Sequence, residues 1–193
     1  AESLGVSRTS VREALRALEL TGEVETRTGV AGGTFVRQIS LPHAVSVFQT
    51  LCRRTGQILT DVIEVRLILE TKTAYFAAQR RTDAHLSEIY QAIETMKADL
   101  KAGGIGIEGD HAFHLAVAQA SENEFLQGLA QLVEDMIEKT RLHTLSIPGI
   151  PDESVADHTT IADAIRDRDG PLAESMMRTH LLKAYSLSKT KGA

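Results

Sequence analysis

The chain has one cysteine, no tryptophan and only 4% aromatic residues across 193 positions. A single thiol, Cys52, excludes an internal disulfide, and its setting in Val47-Phe48-Gln49-Thr50-Leu51-Cys52 reads as that of a small core residue rather than a nucleophile. Few aromatics and no tryptophan imply a core of packed helices built from Leu, Ile, Ala and Val. No apolar run approaches the roughly 18 residues a membrane span requires. No signal peptide opens the chain, so a cytoplasmic protein without a membrane partner is expected, with residues upstream of Ala1 expected to be missing. An excess of positive charge is also lacking. The net charge of -5 argues against nonspecific nucleic-acid binding by the whole surface, while leaving room for a local basic patch.

What is present, 42% hydrophobic and 24% charged residues, is the balance of a globular protein. The length suits one large domain, or a small one followed by a larger one. Residues Ala1 to Leu4 read as the end of a helix stopped by Gly5, and Ser7 as the N-cap of a second helix. In that helix Val11, Ala14, Leu15 and Leu18 form an inward stripe, Arg8, Thr9, Arg12 and Arg16 crowd the outer face, and Thr21-Gly22 closes it. Two alternating stretches follow, residues 23–27 and 33–37, joined by Thr28-Gly29-Val30-Ala31-Gly32, which reads as a β-hairpin. A helix-turn-helix followed by such a wing sets the first turns of its second helix into a major groove, where arginine grips phosphate or reads guanine. By composition alone the arginines fit a solvated face equally well, because Glu2, Glu13, Glu19, Glu23 and Glu25 balance them.

The run Leu4-Gly5-Val6-Ser7-Arg8-Thr9-Ser10-Val11-Arg12-Glu13-Ala14-Leu15-Arg16-Ala17-Leu18-Glu19, with Gly22 and Gly33-Thr34-Phe35-Val36 after it, resembles the winged helix-turn-helix of GntR-type bacterial transcription regulators. The resemblance implies DNA contacts from Arg8 and Arg12, with Thr9 and Ser10 beside them and the wing glycine Gly32 near the groove. Two departures stand out. The motif is truncated at its start, and the wing tip Val30-Ala31 lacks a basic or polar reader.

Beyond Ile39-Ser40-Leu41-Pro42 the pattern is helical throughout. Segments 43–54, 57–80, 83–102, 108–119, 122–145, 152–167 and 170–188 are punctuated by Gly56, Gly103-Gly104, Pro148-Gly149 and Gly170-Pro171, with Thr82-Asp83 and Ser121 as candidate caps. The expected fold is therefore mainly α: a winged helix-turn-helix in residues 1–38, a linker and linking helix in 39–57, and an antiparallel helical bundle in 58–193.

Inside the bundle, Asp110 and His114 stand four residues apart in an otherwise apolar pattern and share one helix face with Val117 and Ala118. A buried carboxylate needs an ion pair, a basic side chain or a metal. Of the seven histidines, His158 and His180 also lie on the apolar stripes of their helices, whereas His43, His85, His111 and His143 read as surface or structural. Three imidazoles and Asp110 would form a set of three nitrogens and one oxygen, suited to Zn or Ni, with Mn or Fe as further options. Each histidine is otherwise a hydrogen-bonded core residue.

Glu64-Val65-Arg66-Leu67-Ile68-Leu69-Glu70, Asp110-His111-Ala112-Phe113-His114, Ala118-Gln119-Ala120-Ser121-Glu122-Asn123, His158 and His180 together resemble the FCD ligand domain of the FadR subfamily, across most of residues 58–188. That resemblance implies a divalent metal ion on Asp110, His114, His158 and His180 that helps to bind a small organic acid, with Arg66 as the cation for its free oxygens. Arg66 is equally placed for an ordinary ion pair with Glu64 or Glu70. Where the subfamily has Ser-Gly-Asn, this chain has Ser121-Glu122-Asn123. The expected function is that of a ligand-responsive transcription regulator, a repressor without catalytic residues that binds palindromic operator DNA as a homodimer. Two alternatives remain at this level: a metal-dependent hydrolase using the same four ligands, and an ion that only stiffens the bundle.

Overall fold

The computed structural model describes residues 5–29, 32–36 and 58–188. The chain divides into two compact units, one within Ala1–Ala44 and one within Val45–Ala193. The expected helix end at residues 1–4, the linker and linking helix with His43 and Cys52, and the wing tip Val30-Ala31 lie outside the described residues.

In the first unit, helix α1 (Arg8–Leu20) begins at Ser7, whose side chain accepts a hydrogen bond from the backbone N–H of Ser10. This satisfies one of the free donors of the first turn. The helix ends at Thr21, and Gly22 takes a φ of +78° that turns the chain into the hairpin. Val11, Leu15 and Leu18 are half-buried as the periodicity requires, but Ala14 is exposed. Strands β1 (Val24–Arg27) and β2 (Gly33–Val36) pair antiparallel in the register Val24 with Val36 and Arg27 with Gly33. At Gly32 a Cβ would fall 2.6 Å from the carbonyl oxygen of Arg27, so the wing closes only around a residue without a side chain.

Among the described residues the second unit is six helices: α2 (Ile58–Arg80), α3 (Asp83–Lys101), α4 (Ile107–Ala120), α5 (Glu124–Leu145), α6 (Ile150–Arg166) and α7 (Gly170–Ser188). Their bounds follow the sequence closely because the punctuating residues act as expected. Thr82 caps α3 in a reciprocal arrangement with His85, and Pro151 sits in the first turn of α6, where a missing N–H costs nothing. Ser121 differs from expectation. It ends α4, while Asn123 caps α5 by accepting from the N–H groups of Phe125 and Leu126.

Helix α2 is central, packing against α4, α5, α6 and α7. The core is lined by small and branched side chains: Ala74, Ala77 and Ala78 of α2 meet Ile89 and Ile93 of α3, Phe113 and Val117 of α4, Ile161 and Ile165 of α6, and Ala173 and Met177 of α7. Alanine at these crossings lets backbones approach closely, and the branched residues fill the remaining space. A close crossing lies at Gly109, where a Cβ would lie 2.6 Å from the Cα of Met96 on α3. That contact fixes the depth of the first turn of α4, the turn that carries Asp110. Among the described residues no helix is long and apolar enough to cross a membrane.

Candidate metal centre

Five of the six bundle helices send a charged or imidazole side chain to one buried place. Asp110 and His114, one turn apart on α4, meet His158 from α6 and His180 from α7, and all four are buried. One donor atom from each lies within 4.8 Å of the others. The Nε2 atoms of His158 and His180 are 3.3 Å apart, His158 Nε2 is 3.6 Å from Asp110 Oδ1, and His114 Nε2 is 4.0 Å from Asp110 Oδ2. Two donors that each sit about 2.1 Å from one ion can be no more than about 4.2 Å apart; these three pairs satisfy that limit, and the full set, within 4.8 Å, comes within a few tenths of an ångström of it.

The outer faces of the imidazoles are arranged accordingly. His114 Nδ1 lies 2.7 Å from Glu70 Oε2, an oblique approach rather than an aligned hydrogen bond, and His180 Nδ1 lies 3.4 Å from Asp157 Oδ2. Carboxylates behind metal-ligating histidines orient the rings and leave Nε2 for the ion. His158 is held differently. Its ring stacks on Phe113 at 3.9 Å between centroids, and its buried Nδ1 has no hydrogen-bond partner among the described residues. Burial holds the pKa of His114 and His158 well below the ordinary imidazole value, with the cation Arg66 next in importance at His114 and His180 next at His158. Both rings are thus neutral, the form that offers a lone pair to a cation. Burial works against ionisation of Asp110, but the guanidinium of Arg141, the foremost opposing influence, outweighs it and keeps the carboxyl ionised. On donor chemistry, spacing and protonation, these residues fit a divalent ion.

Two guanidiniums reach the same place. Arg66 of α2 pairs through Nε with Glu70, and its Nη2 lies 3.1 Å from His114 Nε2 and 3.8 Å from Glu134 Oε1. The pairing with Glu70 and the position at the cluster are therefore both realised, while Glu64 is exposed. Arg141 of α5 donates from Nε to Asp110 Oδ2 at 2.5 Å and from Nη2 to Glu134. Glu134, Arg141 and the role of Glu70 escape the sequence reading. A signal for the first two is there: both fall on the same stripe of α5 as Ala130, Val133 and Ile137, and opposite charges inside an apolar stripe mark a buried pair. Glu70, His114 and Glu134 also converge, but their carboxylates already hold the two guanidiniums. His111 turns away from the cluster as expected, yet its Nδ1 meets Glu134 Oε2 at 3.1 Å. A cavity beside the cluster is lined by Arg66, Asp110, Arg141 and His180, with Thr144 and Ser154 adding hydroxyls.

In the other unit, Arg8, Thr9, Ser10 and Arg12 are exposed on the first turns of α1, and Gly32 is exposed beside the hairpin. Arg16 is tied to Glu13 at 3.4 Å, whereas no ion pair holds Arg8 or Arg12 among the described residues.

Residues 61–183 match the model of the FCD domain. The chain is 34% identical over 186 residues to the HTH-type transcriptional regulator LutR of Bacillus subtilis, covering 94% of this chain and 84% of that protein. It is 31% identical to the putative L-lactate dehydrogenase operon regulatory protein of Escherichia coli, over 98% of this chain and 75% of the relative. Among solved structures, Streptococcus agalactiae GntR superposes with a TM-score of 0.65 at 26% identity, over 96% of this chain and 85% of that one.

Proposed function

Because the chain belongs to the GntR family of transcriptional regulators and carries the FCD domain, we propose that it senses a small carboxylate through a divalent ion and couples it to operator binding. The observation that carries this reading is the convergence of Asp110, His114, His158 and His180 beside two guanidiniums in one buried site. In this account the four side chains hold the ion, Zn or Ni by preference and Mn or Fe as options. The ion supplies a fixed positive centre for an anionic oxygen. Charge supports the class of effector: Asp110, Glu70 and Glu134 bring three negative charges against two from Arg66 and Arg141, a balance of one net negative charge among these five side chains. A divalent ion turns that balance to one net positive charge, which a monocarboxylate neutralises. Arg66 grips the acid's second oxygen through paired charge-assisted bonds.

At the other end, Arg8, Thr9, Ser10 and Arg12 enter the major groove and Gly32 lets the wing backbone approach phosphate. A homodimer presents two such units to a palindromic site, and its unliganded form represses. The chain is a regulator and not an enzyme, as its relatives and structural neighbours are. The residue nearest to a general base, Asp157, is engaged by Lys183 Nζ at 2.9 Å and by His180. The test is fluorescence anisotropy with DNA from the chain's own promoter region, with and without zinc, across a panel of small acids that starts with L-lactate because of the operon named for the Escherichia coli relative. The expected result is sequence-specific binding weakened by an acid only when zinc is present. No specific binding under any condition would sink the reading.

A further inference from the structure

Resting on the metal reading of this site, we propose that Arg66 gates it by competing with the ion for His114, so that metal entry turns Arg66 into an anion receptor. The Nη2 atom of Arg66 lies 3.1 Å from His114 Nε2. A guanidinium has donors and no acceptor, so the imidazole must be the acceptor and Nε2 carries the lone pair. His114 Nδ1 faces Glu70 at 2.7 Å, whereas it is Nε2 that approaches Asp110, at 4.0 Å. Nε2 is therefore the nitrogen through which His114 can serve the cluster, and one lone pair cannot serve both an N–H and an ion.

The geometry makes the exchange local. Arg66 stays anchored to Glu70 through Nε while Nη2 leaves His114, and Glu134 Oε1, already 3.8 Å away, supports the displaced end. The freed N–H then borders the cavity that Asp110, Arg141 and His180 also line. An anion that takes Arg66 off His114 removes the competitor, so anion and metal favour each other. Linkage requires the effect to be reciprocal: a carboxylate must tighten metal binding by the factor by which metal tightens carboxylate binding.

The experiment is a competition titration of zinc into chelator-stripped full chain against a chromophoric chelator, with acetate as the anion probe and a correction for zinc held by acetate in solution. Wild type, Arg66→Met and Arg66→Lys are compared, and circular dichroism verifies that each is folded. Loss of the competing bond makes Arg66→Met bind zinc at least about tenfold tighter, the factor expected for one hydrogen bond of the charge-assisted kind. Arg66→Lys keeps the charge but removes the planar reach to Nε2, so it also binds tighter than wild type. Acetate tightens zinc binding by a larger factor in wild type than in Arg66→Met, where only its bond to the ion remains. Equal or weaker zinc binding by Arg66→Met overturns the gate while leaving the metal site standing. Tighter binding by Arg66→Met with Arg66→Lys matching wild type would point to charge repulsion and also overturn it. Absence of zinc binding by all three proteins would remove the metal reading itself.

Discussion

Arg141 and Asp110 are joined across the α4–α5 interface by a 2.5 Å bond from Nε to Oδ2, and the same guanidinium reaches Glu134 through Nη2. The carboxylate at the head of the metal-ligand face is thus balanced first by a basic side chain and only then approached by imidazoles. Arg141 is itself held protonated: burial opposes its charge, but Glu134 and Asp110 outweigh that cost. Arg141→Met would leave the buried carboxylate of Asp110 without its cation and Glu134 with only the more distant Arg66, and the loss of one partner from such a network costs about 3–5 kcal/mol. Urea unfolding of the chelator-treated variant should show that loss, and zinc should recover part of it by replacing the missing charge. A variant as stable as wild type would mean that the network is not balanced as described.

The depth of α4 depends on Gly109. A side chain there meets the backbone of Met96, which cannot swing aside, with the Cα at 2.6 Å. Gly109→Ala should therefore destabilise the bundle by about 1–3 kcal/mol, the usual range for overpacking, even though alanine is the better helix former. Thermal melting of the variant checks this, and an unchanged or raised midpoint would refute the close-crossing argument.

Glu122 occupies the left-handed region with φ +47°, at the junction where α4 ends and Asn123 starts α5. The conformation costs a residue with a Cβ about 1–2 kcal/mol, offset in part by the greater chain entropy of glycine. Glu122→Gly is expected to stabilise the domain by up to about 1 kcal/mol, measured as a shift in the urea midpoint at constant slope.

Tyr90 ties α3 to α6 by donating its O–H to Asp163 Oδ1 at 2.6 Å. Burial and this carboxylate push the phenol's pKa up to about 12. A raised folded-state value favours the neutral phenol, so its contribution is complete below the unfolded value near 10 and is lost as pH rises through about 12. Tyr90→Phe should be less stable than wild type at pH 8, and the difference should shrink steadily between pH 10 and pH 12. Equal stability at pH 8 would show that the bond contributes nothing.

The helices and the four proposed ligands were legible because each rests on local pattern: Thr82 and Gly149 punctuate, and a polar residue on an apolar stripe announces its burial. Asp110, His114, His158 and His180 all carry that signal. What escaped depends on which helices touch. Arg141 meets Asp110 from 31 residues away, and nothing near either residue names the other. Asp157 turns off the His158 face as its position on α6 implies, but it backs His180 on α7, a relation that only packing creates. Ser121 failed as a cap for a local reason: Asn123, two residues later, offers an oxygen to two backbone N–H groups and starts the helix there.

In the proposed metal centre four side chains from three helices act as one ligand set. The direct measurement is zinc stoichiometry and affinity by calorimetry on chelator-stripped wild type and on His180→Ala, a change that leaves the Arg141, Asp110 and Glu134 network in place. The account predicts one zinc per chain in wild type, and binding weakened at least about a hundredfold in the variant, whose far-ultraviolet spectrum stays unchanged. Zinc binding of equal stoichiometry and affinity in both proteins would contradict it.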